Sequence, residues 1–399
     1  MLLTKEMDVP DENRWPPVGT VCKPRQCAGC MACVDICPKA AITVTDSVDH
    51  MDAIIDAKKC INCGLCYRVC QNNYPPELKS TRESWQGWAD SKTRGGSSSG
   101  GFAAAIEKAF VSAGGTVCTC KLESGKFCFV LARNLDQLKG FAGSKYVKSN
   151  PEGAYRAVTE ELKAGRRVLF LGLPCQVAAM RNFVDMRCRG KIGDLYTIDL
   201  ICHGTPSVQV LQMALREYGY DLGSAKYIWF RRNSDFGLLT DVNRIVPEGC
   251  TDRYTMAFLE GVCYTENCYS CRYATPKRTS DLTLGDSWGT DLRSEEPKGI
   301  SLALIQTDRG RELLNMAALE LRHVDYENAL AVNTQLRRPT EKTLDHDLFF
   351  SQLDKTESVK KAVLAIWPKR CFKQDVKAVL IKMGLWKLRG GAPIICNRN

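Results

Sequence analysis

No run of 18 apolar residues occurs in the 399-residue chain, which excludes a spanning helix of ordinary length. The first residues, MLLTKEMDVPDENRWPP, hold no apolar h-region, so no secretory signal is read there. There is no P-loop, no GxGxxG fingerprint and no helix-turn-helix pattern. Evenly spread basic charge is lacking too. The net charge is +10, but residues 350–399 carry 11 Lys and Arg against 3 Asp and Glu, and the remainder is near balance. A nucleic-acid binder is therefore not implied.

Cysteine is what the chain has in excess, 21 residues in all, nine of them between Cys22 and Cys70. Disulfide scaffolds of that density are small and secreted, and this chain reads as neither. Reduced thiols serving as metal ligands in a cytoplasmic protein are the better reading.

Four segments precede a basic tail. Residues 1–21 form a Pro-rich leader, 22–76 a cysteine-rich module, 77–95 a polar linker with Trp85 and Trp88, and 96–340 a region of alternating helix and strand. Short apolar runs such as RVLFLGLP (167–174), LYTIDLICHG (195–204), SDLTLGDSWG (280–289) and ISLALIQTD (300–308) alternate with helical stretches. The expected architecture is an α+β ferredoxin-like two-cluster module followed by an α/β domain with a mixed, largely parallel sheet. Residues 341–399 read as a basic helical tail.

In the module the first cysteine run is Cys27, Cys30, Cys33, Cys37 followed by Pro38; the second is Cys60, Cys63, Cys66, Cys70. Three closely spaced thiolates of each run wrap one four-iron cube, and the fourth ligates the other cube. One cluster is thus expected on Cys27, Cys30, Cys33 and Cys70, and the other on Cys60, Cys63, Cys66 and Cys37. Zinc is the competing reading, but it needs two CxxC pairs rather than two four-cysteine runs. Cys22 fits neither run and reads as a spare buried thiol. The module resembles two-cluster bacterial ferredoxins.

Beyond it, Cys175 and Cys202 stand at predicted strand ends, and Cys268 and Cys271 form NCYSC with Cys263 five residues before. Convergence at the carboxyl edge of a sheet would bring four thiolates together for a third cluster. Buried structural cysteines and a zinc site remain as alternatives. Cys118, Cys120 and Cys128 read as core thiols.

GGSSSGGFAAAIEKAF (95–110) runs from a Gly/Ser loop into a helix, either an anion site at a helix N-terminus or a flexible linker. GSKYVKS (143–149) adds Lys145, Tyr146 and Lys148, candidates for phosphate or flavin-edge contacts if not simply a solvated turn.

SSSGG, GSKYV, LFLGLPCQVAA, DLICHGTPS, CYSCRY and SDLTLGDSWG, in that order, resemble the family of coenzyme F420 hydrogenase/dehydrogenase beta subunits over roughly residues 20–340. The resemblance implies FAD in the α/β domain and a third 4Fe-4S cluster on Cys175, Cys202, Cys268 and Cys271; Cys263 lies outside the matched positions. Ser97, Ser98, Ser99, Gly100 and Gly101 would hold FAD phosphates with Lys145 and Tyr146 nearby. His203 and Asp286 stand in matched motifs as candidates for proton transfer. The implied activity is that of an iron–sulfur flavoprotein oxidoreductase linking a ferredoxin-type carrier, or coenzyme F420, to a substrate. The alternative is an electron-transfer subunit without its own substrate, feeding a partner enzyme, with polysaccharide biosynthesis one setting in which the family occurs. The basic tail reads as helix packed on the body with a solvated face; docking on an anionic membrane surface or an acidic ferredoxin is the alternative.

Overall fold

The computed structural model describes residues 19–188, 194–233, 235–241 and 243–386. Most of the expected leader, residues 1–18, the last residues 387–399 and Cys396 lie outside them.

The N-terminal module comprises β1 (Gly19–Thr20), α1 (Ala32–Ile36), β2 (Ile42–Asp46), β3 (Met51–Ile55) and α2 (Leu65–Val69). Its antiparallel sheet has the order β1-β3-β2. The two halves repeat their backbone: Gly29 and Asn62, then Met31 and Gly64, all take left-handed φ values between 54° and 69°. Gly29 has no room for a side chain, since a Cβ would stand 2.5 Å from Met51 Sδ and 3.2 Å from Lys148 Cδ.

The large domain is built from β4 (Glu83–Ala89), α3 (Ser91–Gly95), α4 (Phe102–Ser112), β5 (Thr116–Glu123), β6 (Lys126–Ala132), α5 (Ala154–Lys163), β7 (Val168–Gly172), α6 (Pro174–Cys188), β8 (Leu195–Leu200) and α7 (Val208–Glu217). It continues through a separate hairpin, β9 (Ile228–Arg232) and β10 (Asp235–Thr240), then α8 (Arg253–Leu259), β11 (Leu282–Asp286), β12 (Ser301–Ile305), α9 (Asp308–Met316), β13 (Leu319–His323) and α10 (Tyr326–Val332). The eight-stranded sheet runs β13-β4-β12-β11-β8-β7-β5-β6. Its centre, β5, β7, β8 and β11, is parallel, and both flanks are antiparallel. All five residues of β7, VLFLG, are buried, as a strand covered on both faces requires. The sheet is therefore mixed with a parallel core.

Residues 77–95 are not a linker throughout. Within them β4 pairs with β12 on one side and β13 on the other. Its residues alternate between buried and half-buried positions, and Gln86 is tied to Ser287, Thr290 and Asp291 by side-chain hydrogen bonds of 2.7–2.8 Å.

The module shares one apolar core with α5, α6 and β7. Asp35 of α1 accepts a hydrogen bond from Gly153 N (2.8 Å) and pairs with Arg156 at 3.3 Å, and Asn182 of α6 donates to Tyr74 O at 2.6 Å. The tail forms α11 (Leu344–Thr356), α12 (Val359–Ile366) and α13 (Pro368–Lys382). The first two contribute Phe349, Phe350, Leu353, Val359 and Val363 to a core shared with α7 and α8.

At the amino edge of the sheet Glu161 is 4 % exposed and bonded by Thr116 Oγ1 (2.9 Å), Arg133 Nη2 (2.7 Å) and Arg166 Nε (2.6 Å). These donors, Arg166 foremost, hold its carboxyl at about 2. A depressed carboxylate contributes stability that is complete above its ordinary value near 4.5 and lost as pH falls towards 2. Glu161→Gln should cost roughly 1–2 kcal/mol near neutrality, discounted because both arginines are half exposed. Denaturant melts at pH 7 and pH 3 check this, with the gap between the two proteins narrowing at pH 3.

Candidate functional site

Two sets of four sulfurs form within the module, each drawing its fourth member from the other run. Cys27, Cys30, Cys33 and Cys70 are all buried. The Cys30 thiol is pushed up by burial and then by the neighbouring Cys70 and Cys27 sulfurs; Cys33 rises for the same reasons. In the outer set, burial and then Cys37, Cys63 and Cys60 push Cys66 up to about 12, against backbone donation from Tyr67. A small hollow is bounded by Cys37, Cys60, Cys63 and Cys66 with Lys39 and Gly64. Cys63 is exposed and Cys60 half-buried, so this set faces solvent while the other faces the large domain.

The left-handed turns direct amide groups at the sulfurs: Gly29 N lies 3.4 Å from Cys27 Sγ, and Asn62 N lies 3.4 Å from Cys60 Sγ. Such donors favour thiolates. Cys22 is buried beside the inner set, where its thiol lowers those of Cys27 and Cys70.

A third set stands at the carboxyl edge of the parallel strands. Cys175 opens α6 just after β7, and Cys202 follows β8. Cys268 lies in the 3-10 turn Glu266–Ser270, which Cys271 closes. Cys271 has φ −66° and ψ 115°, the conformation of Cys37 (−71°, 116°) and Cys70 (−67°, 117°). Burial and then Cys271 and Cys202 push Cys175 well up; burial, Cys268 and Cys271 push Cys202 up to about 12. Cys263 lies instead in the core formed with Tyr254 and Tyr264. Cys118 is fully buried, and Cys120 and Cys128 are half-buried. Among the described residues no three His, Cys, Asp or Glu side chains meet closely enough to hold a single metal ion.

The inner and third sets adjoin. Cys30 is near enough to Cys175 to raise its thiol, and Tyr155 and Tyr273 lie beside both. Tyr155 is fully buried and its hydroxyl has no protein partner. Lys148, a phosphate or flavin candidate by sequence, instead places its Nζ 3.3 Å from Ala28 O and 3.4 Å from Asn267 Oδ1, with its charge acting on Cys27, Cys175 and Cys202. A buried ammonium and an orphaned phenol next to thiol sets suit an anionic, sulfur-rich group.

The remaining expected residues divide. Ser98, Tyr146 and Asp286 come together around Arg231, which sequence reasoning missed. Ser98 Oγ accepts from Ser144 N at 2.8 Å and donates to Arg231 O at 3.4 Å. Arg231 Nη1 meets Asp286 Oδ2 at 2.5 Å, and its guanidinium lies over Phe236 and Trp288. The Tyr146 ring stacks on Phe258 with centroids 4.3 Å apart. Ser97 and Ser99 donate to Thr93 O and Ile300 O; Gly100 is pressed against Gly87 O and Ser301 N, and Gly101 begins α4 at φ 87°. Lys145 turns away to Phe141 O, near Glu107, whose carboxyl burial pushes up to about 7. His203 follows Cys202, and its carbonyl accepts from Thr340 Oγ1 at 2.9 Å.

A ferredoxin-type module docked on an α/β domain with a further thiol set at its sheet edge defines an iron–sulfur protein of the electron-transfer class, and comparison with known proteins agrees. Residues 26–74 match a 4Fe-4S dicluster domain, and residues 165–327 match the family described as the C terminus of the coenzyme F420 hydrogenase/dehydrogenase beta subunit. The F-subunit of the F(420)H(2) dehydrogenase of Methanosarcina mazei is 28% identical over 180 residues, covering 42% of this chain and 51% of that protein. Coenzyme F420-dependent sulfite reductase of Methanocaldococcus jannaschii is 23% identical over 313 residues, 74% of this chain and 46% of that protein. The chain thus spans about half the length of both relatives. A chain of the F420-reducing NiFe hydrogenase complex from Methanosarcina barkeri superposes with a TM-score of 0.49 at 20% identity, covering 65% of this chain and 90% of that one.

Proposed function

We propose that the chain is an electron-transfer component of an oxidoreductase, running from a solvent-facing 4Fe-4S cluster through an inner and a third cluster to FAD. The observation that carries this reading is the adjacency of Cys30 and Cys175, with Lys148 set against both thiol groups. It makes one continuous series of sulfur sites from the exposed Cys63 to the carboxyl edge of the sheet.

When bound, the clusters pass single electrons and the flavin accepts one or two. The chain's own residues supply the rest. Eight module cysteines hold two clusters, and Cys175, Cys202, Cys268 and Cys271 hold the third. Burial of the inner set keeps water from it, while the third set is half-buried. Arg231, fixed by Asp286 and flanked by Trp288, Phe236 and Tyr146, offers a cation among aromatic faces, a surface suited to a flavin ring. The thiols must lose their protons to ligate iron, and burial raises Cys30, Cys33, Cys66, Cys175, Cys202 and Cys271, so cluster loading improves as pH rises.

The names of the relatives point to coenzyme F420, and the ferredoxin-type module to a carrier of its own kind. Coenzyme F420 or a ferredoxin-type carrier supplies or receives electrons at one end, and a partner enzyme or a substrate serves the other.

Anaerobic reconstitution tests the cofactor set. About twelve iron atoms and one flavin per chain are expected from three four-iron clusters. Arg231→Ala should keep the iron and lose most of the flavin, read by absorbance of the desalted protein. A wild-type chain with full iron and no flavin would reduce the reading to that of an electron carrier alone.

A further inference from the structure

We propose that α13 docks the chain on an anionic lipid surface, lying in the interface without crossing it. Of its 15 residues only Cys371 is buried. Phe372 is 70 % exposed, Val376 40 %, Val379 54 % and Met383 64 %. Spacings of four, three and four put these side chains in one row along the helix. Leu385 and Trp386, also exposed, follow directly.

The row points outward because polar bonds secure the opposite side. Arg253 donates to Cys371 O (3.2 Å) and Asp375 (2.7 Å), Gln374 Oε1 accepts from Thr251 N (3.1 Å), and Lys377 donates to Gly249 O (2.6 Å). Exposed Lys369, Lys373 and Lys382 flank the row, and the one acid, Asp375, is neutralised by Arg253.

Charge decides the occupant. The buried centre of a protein interface is depleted of lysine, because desolvating an ammonium is costly. A lipid interface accepts this arrangement, with apolar side chains entering the acyl boundary and lysines reaching back to the phosphates. Among the described residues no helix is long and apolar enough to cross a membrane, so the helix lies on the surface.

The test is sedimentation of the full chain with extruded vesicles, either pure phosphatidylcholine or phosphatidylcholine with about a third phosphatidylglycerol. Binding to the anionic vesicles alone is expected. The pair Phe372→Ser and Val379→Ser, and separately Lys369→Glu and Lys373→Glu, should each lower the partition coefficient roughly tenfold or more. These side chains are exposed, so iron content and circular dichroism stay unchanged and report folding. Equal sedimentation of all variants overturns the proposal. So does a dimer that Phe372→Ser dissolves, which would assign the row to a second copy. Vesicle binding seen only after removal of residues 387–399 would assign it to the chain's own end, with the same consequence.

Discussion

The double variant Cys37→Ala, Cys60→Ala should lose about four iron atoms per reconstituted chain, and not about eight. Cys37 belongs by sequence to the first cysteine run and Cys60 to the second. If each run held its own cluster, the pair would damage both. In the structure Cys66 lies among Cys37, Cys60 and Cys63, whereas Cys33 lies among Cys30, Cys27 and Cys70, with Cys66 of the outer set the next nearest influence. Both substitutions therefore strike the outer set, and the inner and third sets keep their ligands. The complementary pair, Cys37→Ala with Cys27→Ala, strikes two sets and should cost about eight irons. Iron analysis and the amplitude of the reduced-cluster EPR signal read the two cases. Losses in the opposite order would break the crossed assignment and the proposed route with it.

The module was legible because its chemistry is local. A CxxCxxC run fixes three ligands within one turn and the start of a short helix, and Gly29 and Gly64 mark where the chain must turn left-handed. The thiol set at the sheet edge was legible in part: strand ends at Cys175 and Cys202 announced themselves as apolar runs. That they meet Cys268 and Cys271 depends on β7, β8 and β11 being neighbours, a fact spread over more than a hundred residues. Strand β4 was missed because ESWQGWA looks like a polar, Trp-bearing linker, and its partners β12 and β13 lie more than 200 residues away in the chain. Arg231 was invisible for the same reason, since its hairpin pairs only with itself and reaches Asp286 through tertiary packing. Asp286 was expected as a proton carrier; its carboxylate is engaged with that guanidinium. In the tail all three helices are held against the body. The first two bury apolar side chains there, while α13 is held by polar bonds and turns an apolar row outward.

Lys148→Met should make the inner and third clusters harder to reduce while leaving the outer cluster where it was. The ammonium is buried, bonded to Ala28 O and Asn267 Oδ1, and its field reaches Cys27, Cys175 and Cys202. Each added electron makes the neighbouring cluster more negative, which a fixed positive charge favours. At an effective dielectric of about 20, one charge a few ångströms away contributes on the order of 1–3 kcal/mol. For a one-electron couple every 1.4 kcal/mol corresponds to about 59 mV, so potentials should fall by roughly 50–130 mV. Methionine keeps the length of the stem and its packing against Gly29, so iron content should hold, and Lys148→Arg should restore most of the potential because it restores the charge. A structural role alone would show itself as lost iron in Lys148→Met with unshifted potentials in whatever remained. An EPR-monitored redox titration separates these outcomes. A shift confined to the two sets that Lys148 touches would tie them electrostatically, which is what a directed path from the exposed Cys63 to the sheet edge requires.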